Sequence, residues 1–368
     1  MMQMLSSAQA NASSPHRAGA EAAAAIAQAR ASVGRLIGAD PAEIIFTSGA
    51  TEANNIAILG VAKAASRQES KRRRIVVSAI EHKAVLAPAR ILANDGFEIV
   101  ECPVKRDGQV DLVALERLVT HETLLVSVMA ANNEIGVVQP LAAVATIVRG
   151  AGAFLHSDAA QAVGKIPIDV FSLDIDYLSV SAHKIYGPQG VGALFISAGA
   201  LRPEPLVHGG GQEGGLRAGT LPVGLIGAFG AAAECAITSM VADTAHGHRL
   251  TELFLAELEA RQVPHATLCA MSERLPGSVG LRFVGVDADA LTRILSQNVS
   301  VTSGSACNSG QIEPSHVLLA IGQSPSESSE FVRIFFSRYN NETQAQAAAA
   351  YFAEACVKVR LATGEVHQ

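Results

Sequence analysis

No tryptophan occurs in this chain, and all aromatic residues together make up only 4% of it. Base-stacking sheets rely on aromatic side chains, so a helix-rich α/β core is the better expectation. Charge is scarce as well. Charged residues make up 17%, and 28 Lys+Arg against 34 Asp+Glu leave a net charge of −6, with a pI near 6.0. That balance argues against nucleic acid as the main partner, because nucleic-acid-binding proteins show a strongly basic face. The one basic cluster, Lys71–Arg74, is short and reads as a solvated loop before a strand. Five cysteines, at 102, 235, 269, 307 and 356, include no CxxC pair. An odd, scattered set is neither a disulfide framework nor a zinc ribbon; no metal is expected, and a reducing cytoplasm suits it.

The start, MMQMLSSAQANASS, has no basic n-region, long apolar core or cleavage signature of a secretory signal. The most apolar stretch, Leu221–Ile237, is interrupted by Pro222, glycines and Glu234, and falls short of the ~20 residues of a membrane span. The expectation is a soluble cytoplasmic protein that neither enters a membrane nor binds nucleic acid directly. With 49% hydrophobic residues, disorder is excluded over most of the length, and 368 residues leave room for two domains.

From Pro41 onward, short β-branched runs alternate with alanine-rich stretches. EIIFTS (Glu43–Ser48) predicts a strand and Ala50–Ala65 a helix; RIVVSAI (Arg74–Ile80) predicts a strand and Val85–Asn94 a helix. FEIVECPV, LLVSVMAAN, GAFLHSDAA, DYLSVSA and GALFIS continue the series. Such alternation implies βαβ units and a mostly parallel sheet covered on both faces. After about residue 239 the texture changes to α+β: a long helix (His246–Arg261), GLRFVG, ALTRILS, a Ser/Gly-rich loop at Thr302–Gly310, VRIFFS, and a terminal helix from Glu342. Residues 12–239 are expected to form a large α/β domain. Residues 240–368 are expected to form a smaller α+β domain, on which residues 1–11 can pack.

The most informative segment is SVSAHKIYGPQG (Ser179–Gly190), a strand that ends in Ser-Ala-His-Lys before a Gly/Pro turn. A lysine at the carboxyl end of a parallel strand points into the crevice where α/β folds bind ligands, and there it can form a Schiff base. Alone, the segment is equally well explained by a surface lysine. Three others shift the balance. FLHSDAAQAVGK (Phe154–Lys165) ends a strand at Asp158, 26 residues (184 − 158) before Lys184, about one βαβ step. A carboxylate there can keep a pyridine nitrogen protonated, which makes pyridoxal phosphate an electron sink; the plain alternative is a helix N-cap. FTSGATEANN (Phe46–Asn55) reads as a strand, a glycine turn and a helix start, where the N–H groups of Gly49, Ala50 and Thr51 with the Thr51 hydroxyl make an anion site. Ordinary capping by Ser48 or Thr51 explains it too. In EHKAV, His82 follows a strand and can lie flat on a cofactor ring, or simply sit at the surface.

HGGGQEGG offers a dinucleotide-type GxGxxG match at Gly209, Gly211 and Gly214, with Glu234 20 residues on. The preceding RPEPLVH carries two prolines and is no central strand, so a flexible glycine loop is the better reading.

In order, TSGATEANN, EHKAV, ANNEIGVVQP (Ala131–Pro140), HSDAAQAVGKIPID, SVSAHKIYGPQGVGAL, HGGGQEGGLRAGTLP (His208–Pro222), TSGSACNSG with EPSHVL behind it, and VRIFFSR (Val332–Arg338) resemble the class V aminotransferase-like enzymes of PLP fold type I. More narrowly they resemble the NifS/IscS-type cysteine desulfurases, from about Asn11 to Arg338. The resemblance implies that Lys184 carries pyridoxal 5'-phosphate and Asp158 pairs with its pyridine nitrogen. Gln161 and Asn133 contact the ring hydroxyl and substrate, while Ala50, Thr51, Ser181 and His183 hold the phosphate. Thr220 reaches in from the other subunit of a homodimer. His82 stacks on the ring and moves protons, Arg333 binds the substrate carboxylate as a bidentate fork, and Cys307 takes sulfur from L-cysteine as a persulfide, for a scaffold or other acceptor protein. The other four cysteines read as structural, since they lie in or beside apolar stretches.

The sequence departs from the family pattern in two places. The chain reaches ANASSPHRAG (Ala10–Gly19) without the usual opening strand, with Ala12 where proline is common, and Gly214 stands where arginine is usual. Two other readings stay open: selenocysteine lyase or another class V lyase or aminotransferase, and a degenerate desulfurase-like assembly subunit.

Overall fold

The computed structural model describes residues 10–269, 274–303, 306–308 and 311–363. The chain divides into two compact units. The first comprises residues up to Pro103, Val110–Ala131 and Gln139–Met240; the second comprises Val104–Gln109, Asn132–Val138 and Val241–Gln368.

The first unit runs α1 (Arg17–Ile37), β1 (Ile44–Thr47), α2 (Ala50–Asn55), a π-helical turn (Ile56–Gly60), α3 (Val61–Arg67), β2 (Arg74–Ser78), α4 (Lys83–Ile91), β3 (Glu98–Cys102), α5 (Leu112–Leu118), β4 (Thr123–Ser127), α6 (Leu141–Gly150), β5 (Phe154–Asp158), β6 (Tyr177–Ser181) and β7 (Gly192–Ile196). Seven strands form one sheet in the order β1-β7-β6-β5-β4-β2-β3. Only β7 runs against its neighbours, β1 and β6; every other pairing is parallel. This is the mostly parallel α/β sheet expected from the alternation. Strands β1, β4 and β6 are buried along their whole length, as expected of a sheet covered on both faces, while edge strand β3 is largely exposed or half-buried. Since β1, β2, β4, β5 and β6 all point one way, their carboxyl ends share one edge, which gathers the segments after Thr47, Ser78, Ser127, Asp158 and Ser181.

Helix α7 (Val223–Ala260) differs from the sequence expectation, starting at Val223 instead of His246. Pro222 does not break it because it precedes the first turn, where no intrahelical N–H is required. The glycines serve close packing: a Cβ on Gly230 would lie 2.6 Å from Ala29 Cα. By length and composition α7 is apolar enough to cross a membrane. Its face through Met240 is however built into the first unit, with Ile226, Phe229, Ala233 and Ala236 fully buried and Phe229 edge-on to Phe46. Cys235 also differs from expectation: it is exposed on this helix rather than structural. Cys102, Cys269 and Cys356 are buried, and burial pushes the thiols of Cys102 and Cys356 up to about 12 and about 11.

The second unit contains β8 (His265–Thr267), β9 (Ser278–Phe283), α8 (Ala288–Leu295), β10 (Thr302–Ser303), β11 (Ala306–Asn308), β12 (Gln311–Glu313), α9 (His316–Ala320), α10 (Pro325–Ser328), β13 (Phe331–Phe335) and α11 (Glu342–Thr363). An antiparallel sheet, β10-β13-β9-β8, packs against helices through Phe254, Phe283, Phe336 and Phe352. The rings of Phe283 and Phe352 stack at 5.0 Å.

Candidate active site

Asp158 ends β5, and its carboxylate is buried. Oδ1 accepts from the Ala160 N–H at 3.0 Å and Oδ2 from Asn54 Nδ2 at 2.7 Å. Burial pushes its pKa up, and the two hydrogen bonds with the fields of His82 and Lys184 pull the other way. The N-cap reading of Asp158 thus describes only the Ala160 contact; its other oxygen is held by Asn54 from α2.

Lys184 lies after β6 in a single 3-10 turn, Ala182–Ile185, and is half-buried. The chain reverses directly after it. Tyr186 takes a left-handed φ of 65°, and the Gly187 N–H returns to the Ala182 carbonyl at 2.9 Å. That closed turn fixes where the lysine leaves the backbone. Ser181 Oγ and His183 Nδ1 are 2.9 Å apart, and burial with the neighbouring Lys184 charge lowers the His183 pKa.

The turn between β1 and α2 lies against the same strands. Gly49 has φ 152°, open to glycine, and a Cβ on Gly192 of β7 would lie 2.6 Å from Gly49 Cα. Backbone therefore packs on backbone, and the space beside Gly49 looks onto Ser181 Oγ at 3.9 Å. Ala50 and Thr51 open the helical run at that point, with Thr51 exposed. Glu52 is held by Arg217 Nε at 2.9 Å and by the Ser48 N–H at 2.5 Å; burial pushes its carboxyl up, but these partners keep it below the usual range.

His82 is the N-cap of α4, and its Nδ1 accepts from the Ala84 N–H at 3.0 Å. That bond fixes the tautomer, because the neutral ring must then carry its proton on Nε2. Beside it, Glu81 is fully buried, with Oε1 accepting from the Met129 N–H at 2.5 Å. Burial, and then the charge of Asp158, raise its pKa well above the carboxylate range. Gln161 is half-buried and accepts from Lys165 Nζ at 3.1 Å; Thr220 is exposed.

The first unit therefore holds Ala50, Thr51, His82, Asp158, Gln161, Ser181, His183, Lys184 and Thr220. Asn133 lies in the second unit, although its sequence position is inside the expected large domain. Residues 132–138 form a turn of that unit, with Gly136 at φ 78° and Val137 bridged to Arg274. Arg333 is on β13, half-buried, and its Nη1 donates to the Asn133 carbonyl at 3.0 Å. Cys307 lies on β11, paired through its backbone with Ile312 of β12, where the sequence predicts a loop. Residues 304–305 and 309–310 of the expected Thr302–Gly310 loop lie outside the described residues, as do residues 1–9.

Four residues in the first unit escaped the sequence reading. Asn54 sits inside TSGATEANN, three residues after Thr51, an amide among the apolar neighbours Ala53 and Ile56. Glu81 is an acid directly after an apolar strand. His156 is fully buried in β5, with Ser127 Oγ 2.8 Å from Nδ1 and Ser179 Oγ 3.1 Å from Nε2, and burial pushes its pKa down to about 3. Glu213 is also buried; it pairs with Arg30 at 2.6 Å and accepts from the Phe46 N–H at 2.7 Å. The glycine segment around it follows irregular chain, not a strand, so Glu213 anchors that loop to α1 and β1.

The sequence profile described as aminotransferase class-V matches residues 1–347. The cysteine desulfurase IscS of Rickettsia massiliae (strain Mtu5) is 44% identical over 330 residues, covering 89% of this chain and 80% of that protein. The IscS of Rickettsia akari (strain Hartford) is 45% identical over the same shares. Among solved structures, a NifS-like protein superposes with a TM-score of 0.89 at 34% identity, covering 96% of this chain and 93% of that one. A structure titled SspA in complex with cysteine gives 0.79 at 34%, covering 92% and 94%. With the strand-end lysine and buried aspartate in place, the chain belongs to the class-V aminotransferase family and, within it, to the IscS/NifS-like cysteine desulfurases.

Proposed function

We propose that this cysteine desulfurase converts L-cysteine to L-alanine and holds the released sulfur as a persulfide on Cys307, from which an acceptor protein withdraws it for iron–sulfur cluster assembly or tRNA thiolation. The observation that carries the reading is the buried Asp158 carboxylate, held by Asn54 and the Ala160 N–H, with the fields of His82 and Lys184 reaching it.

Membership of the class-V aminotransferase family implies pyridoxal 5'-phosphate. The donor set fits that group: a buried carboxylate suits a protonated pyridine nitrogen, a half-buried amine at a strand end suits a carbonyl, and the Gly49–Thr51 turn facing Ser181 suits a phosphate. When bound, the cofactor draws electron density away from the substrate Cα. Lys184 would hold it, Asp158 would face its ring nitrogen, and Ala50, Thr51, Ser181 and His183 would take its phosphate. Gln161 and Asn133 would meet ring hydroxyl and substrate, and Thr220 would serve a second protomer of a homodimer.

Arg333 binds the substrate carboxylate, with its orientation set by the Asn133 carbonyl. His82, seated as the N-cap of α4, would stack on the ring and help move protons. Cys307 Sγ attacks the sulfur of the substrate: the carbon–sulfur bond breaks, a sulfur–sulfur bond forms, and the carbon keeps the electron pair and takes a proton to become the alanine methyl group. L-cysteine and one thiol thus become L-alanine and one persulfide, with no external oxidant. The thiol of Cys235 and the three buried ones support a reducing, cytoplasmic setting.

A visible spectrum of the purified protein, followed by a turnover assay for alanine and sulfide with L-cysteine, tests this. A cofactor band and alanine formation are expected. A protein without either is not a working desulfurase.

A further inference from the structure

We propose that Asn54 is a positioning residue for Asp158: its side-chain amide aims the carboxylate at the cofactor ring nitrogen and keeps it ionised. The proposal rests on the reading of Asp158 as the partner of that nitrogen.

Asp158 has two oxygens, and each is engaged from a different direction. The Ala160 N–H holds Oδ1 from the chain that follows β5. Asn54 Nδ2 holds Oδ2 from α2, at 2.7 Å, the short separation of a charge-assisted bond. Two donors from two elements fix the carboxylate plane, which one alone would leave free to rotate. Each carboxylate oxygen retains a second lone pair, so an incoming ring N–H still finds an acceptor.

The amide orientation is also determined. Asn54 is fully buried, and its Oδ1 meets no hydrogen-bond partner among the described residues. Flipping the amide would set that oxygen against the Asp158 carboxylate, acceptor against acceptor. The bond to Asp158 therefore dictates which way the amide points, and the cost of the unpaired Oδ1 is accepted for it. A residue present only to fill space would be apolar here, among Ala53, Ile56 and Ala57.

The location ties this bond to the rest of the site. Asn54 follows Thr51 by three positions and shares its side of α2. One short helix thus carries the phosphate-side residues at its start and the Asp158 clamp near its end. The π-helical turn Ile56–Gly60 follows immediately, a local irregularity often retained where a helix must present a side chain in a particular direction.

An amide donor stabilises the charged carboxylate, and a charged carboxylate stabilises a protonated ring nitrogen. Removing the donor should therefore lower the proton affinity of that nitrogen. The holoenzyme is reduced with borohydride to lock the cofactor, carrying a 15N-labelled ring, onto the protein, and the ring nitrogen is titrated by NMR. Asn54→Leu keeps the branched outline, with somewhat more bulk, and deletes the donor; Asn54→Ala is the second variant if leucine disturbs folding. Asp158→Asn is the control. The expected result is a roughly tenfold or greater loss of ring-nitrogen proton affinity in either Asn54 variant, and a larger one in Asp158→Asn. If both Asn54 variants titrate like the wild type while Asp158→Asn does not, the positioning role is wrong and the Asp158 reading stands. If Asp158→Asn also titrates like the wild type, the Asp158 reading itself fails.

Discussion

Arg333 Nη1 donates to the main-chain oxygen of Asn133 at 3.0 Å, which ties a guanidinium on β13 to a turn 200 residues earlier. A main-chain acceptor uses one of five N–H donors and steers the rest. On β13, Arg333 lies between Thr302 of β10 and Gly280 of β9. Arg333→Lys should therefore keep the fold but lose the planar fork, with kcat/KM for L-cysteine falling about tenfold to a hundredfold, chiefly through KM. Steady-state kinetics checks this, and an unchanged KM removes Arg333 from substrate binding.

Lys184→Ala should abolish the visible absorbance of bound cofactor, because the closed turn around Ala182–Ile185 presents this amine and no other at the end of β6. Retention of a borohydride-sensitive band would reassign the attachment site.

Cys307→Ala should separate cofactor chemistry from sulfur chemistry. Lys184, Asp158 and His82 are untouched, so L-cysteine should still change the spectrum. Alanine output should fall by about a thousandfold or more, the scale of losing a covalent nucleophile. Wild-type alanine production by the variant would exclude the persulfide step and favour a lyase.

His156 should make the fold acid-sensitive. Its pKa in the folded protein is pushed down to about 3 from an ordinary 6.5. Between those values the unfolded chain binds a proton that the folded one does not. The stabilisation is complete above 6.5 and is lost as pH falls, by about 1.4 kcal/mol per pH unit. Asp158 and Glu81, with raised pKa values, act in the opposite sense, weakening the fold as pH rises through their titration. Denaturant unfolding of wild type and His156→Gln across this range isolates the histidine: the wild-type curve should be steeper on the acid side. Parallel curves would show that the Ser127–His156–Ser179 bonds do not hold the ring neutral.

The parallel sheet was legible because β-branched runs and alanine-rich runs alternate at short range, and polar residues at the run ends mark the carboxyl edge. Asp158 and Lys184 follow from that pattern. Asn54 and Glu213 do not, because their partners lie 104 and 183 residues away in the chain, and nothing local announces a contact of that span. The start of α7 was hidden by Pro222 and its glycines, which are helix breakers in general but act here at the first turn and at a helix contact. The backbone pairing of Cys307 was hidden by composition: the stretch is rich in Ser and Gly, and the two paired strands are only three residues each.

The close approach of Gly49 and Gly192 has a genetic consequence. A Cβ at position 192 would lie 2.4 Å from the Val180 oxygen as well as 2.6 Å from Gly49 Cα. Most steric conflicts in a protein can be relieved by a second substitution that shrinks the neighbour. Here the neighbour is already glycine, and the other obstacle is main chain, so no residue exists that would make room. A substitution at Gly192 has no suppressor at position 49, and this part of the site can change only if the backbone path of β6, β7 and the β1–α2 turn changes with it.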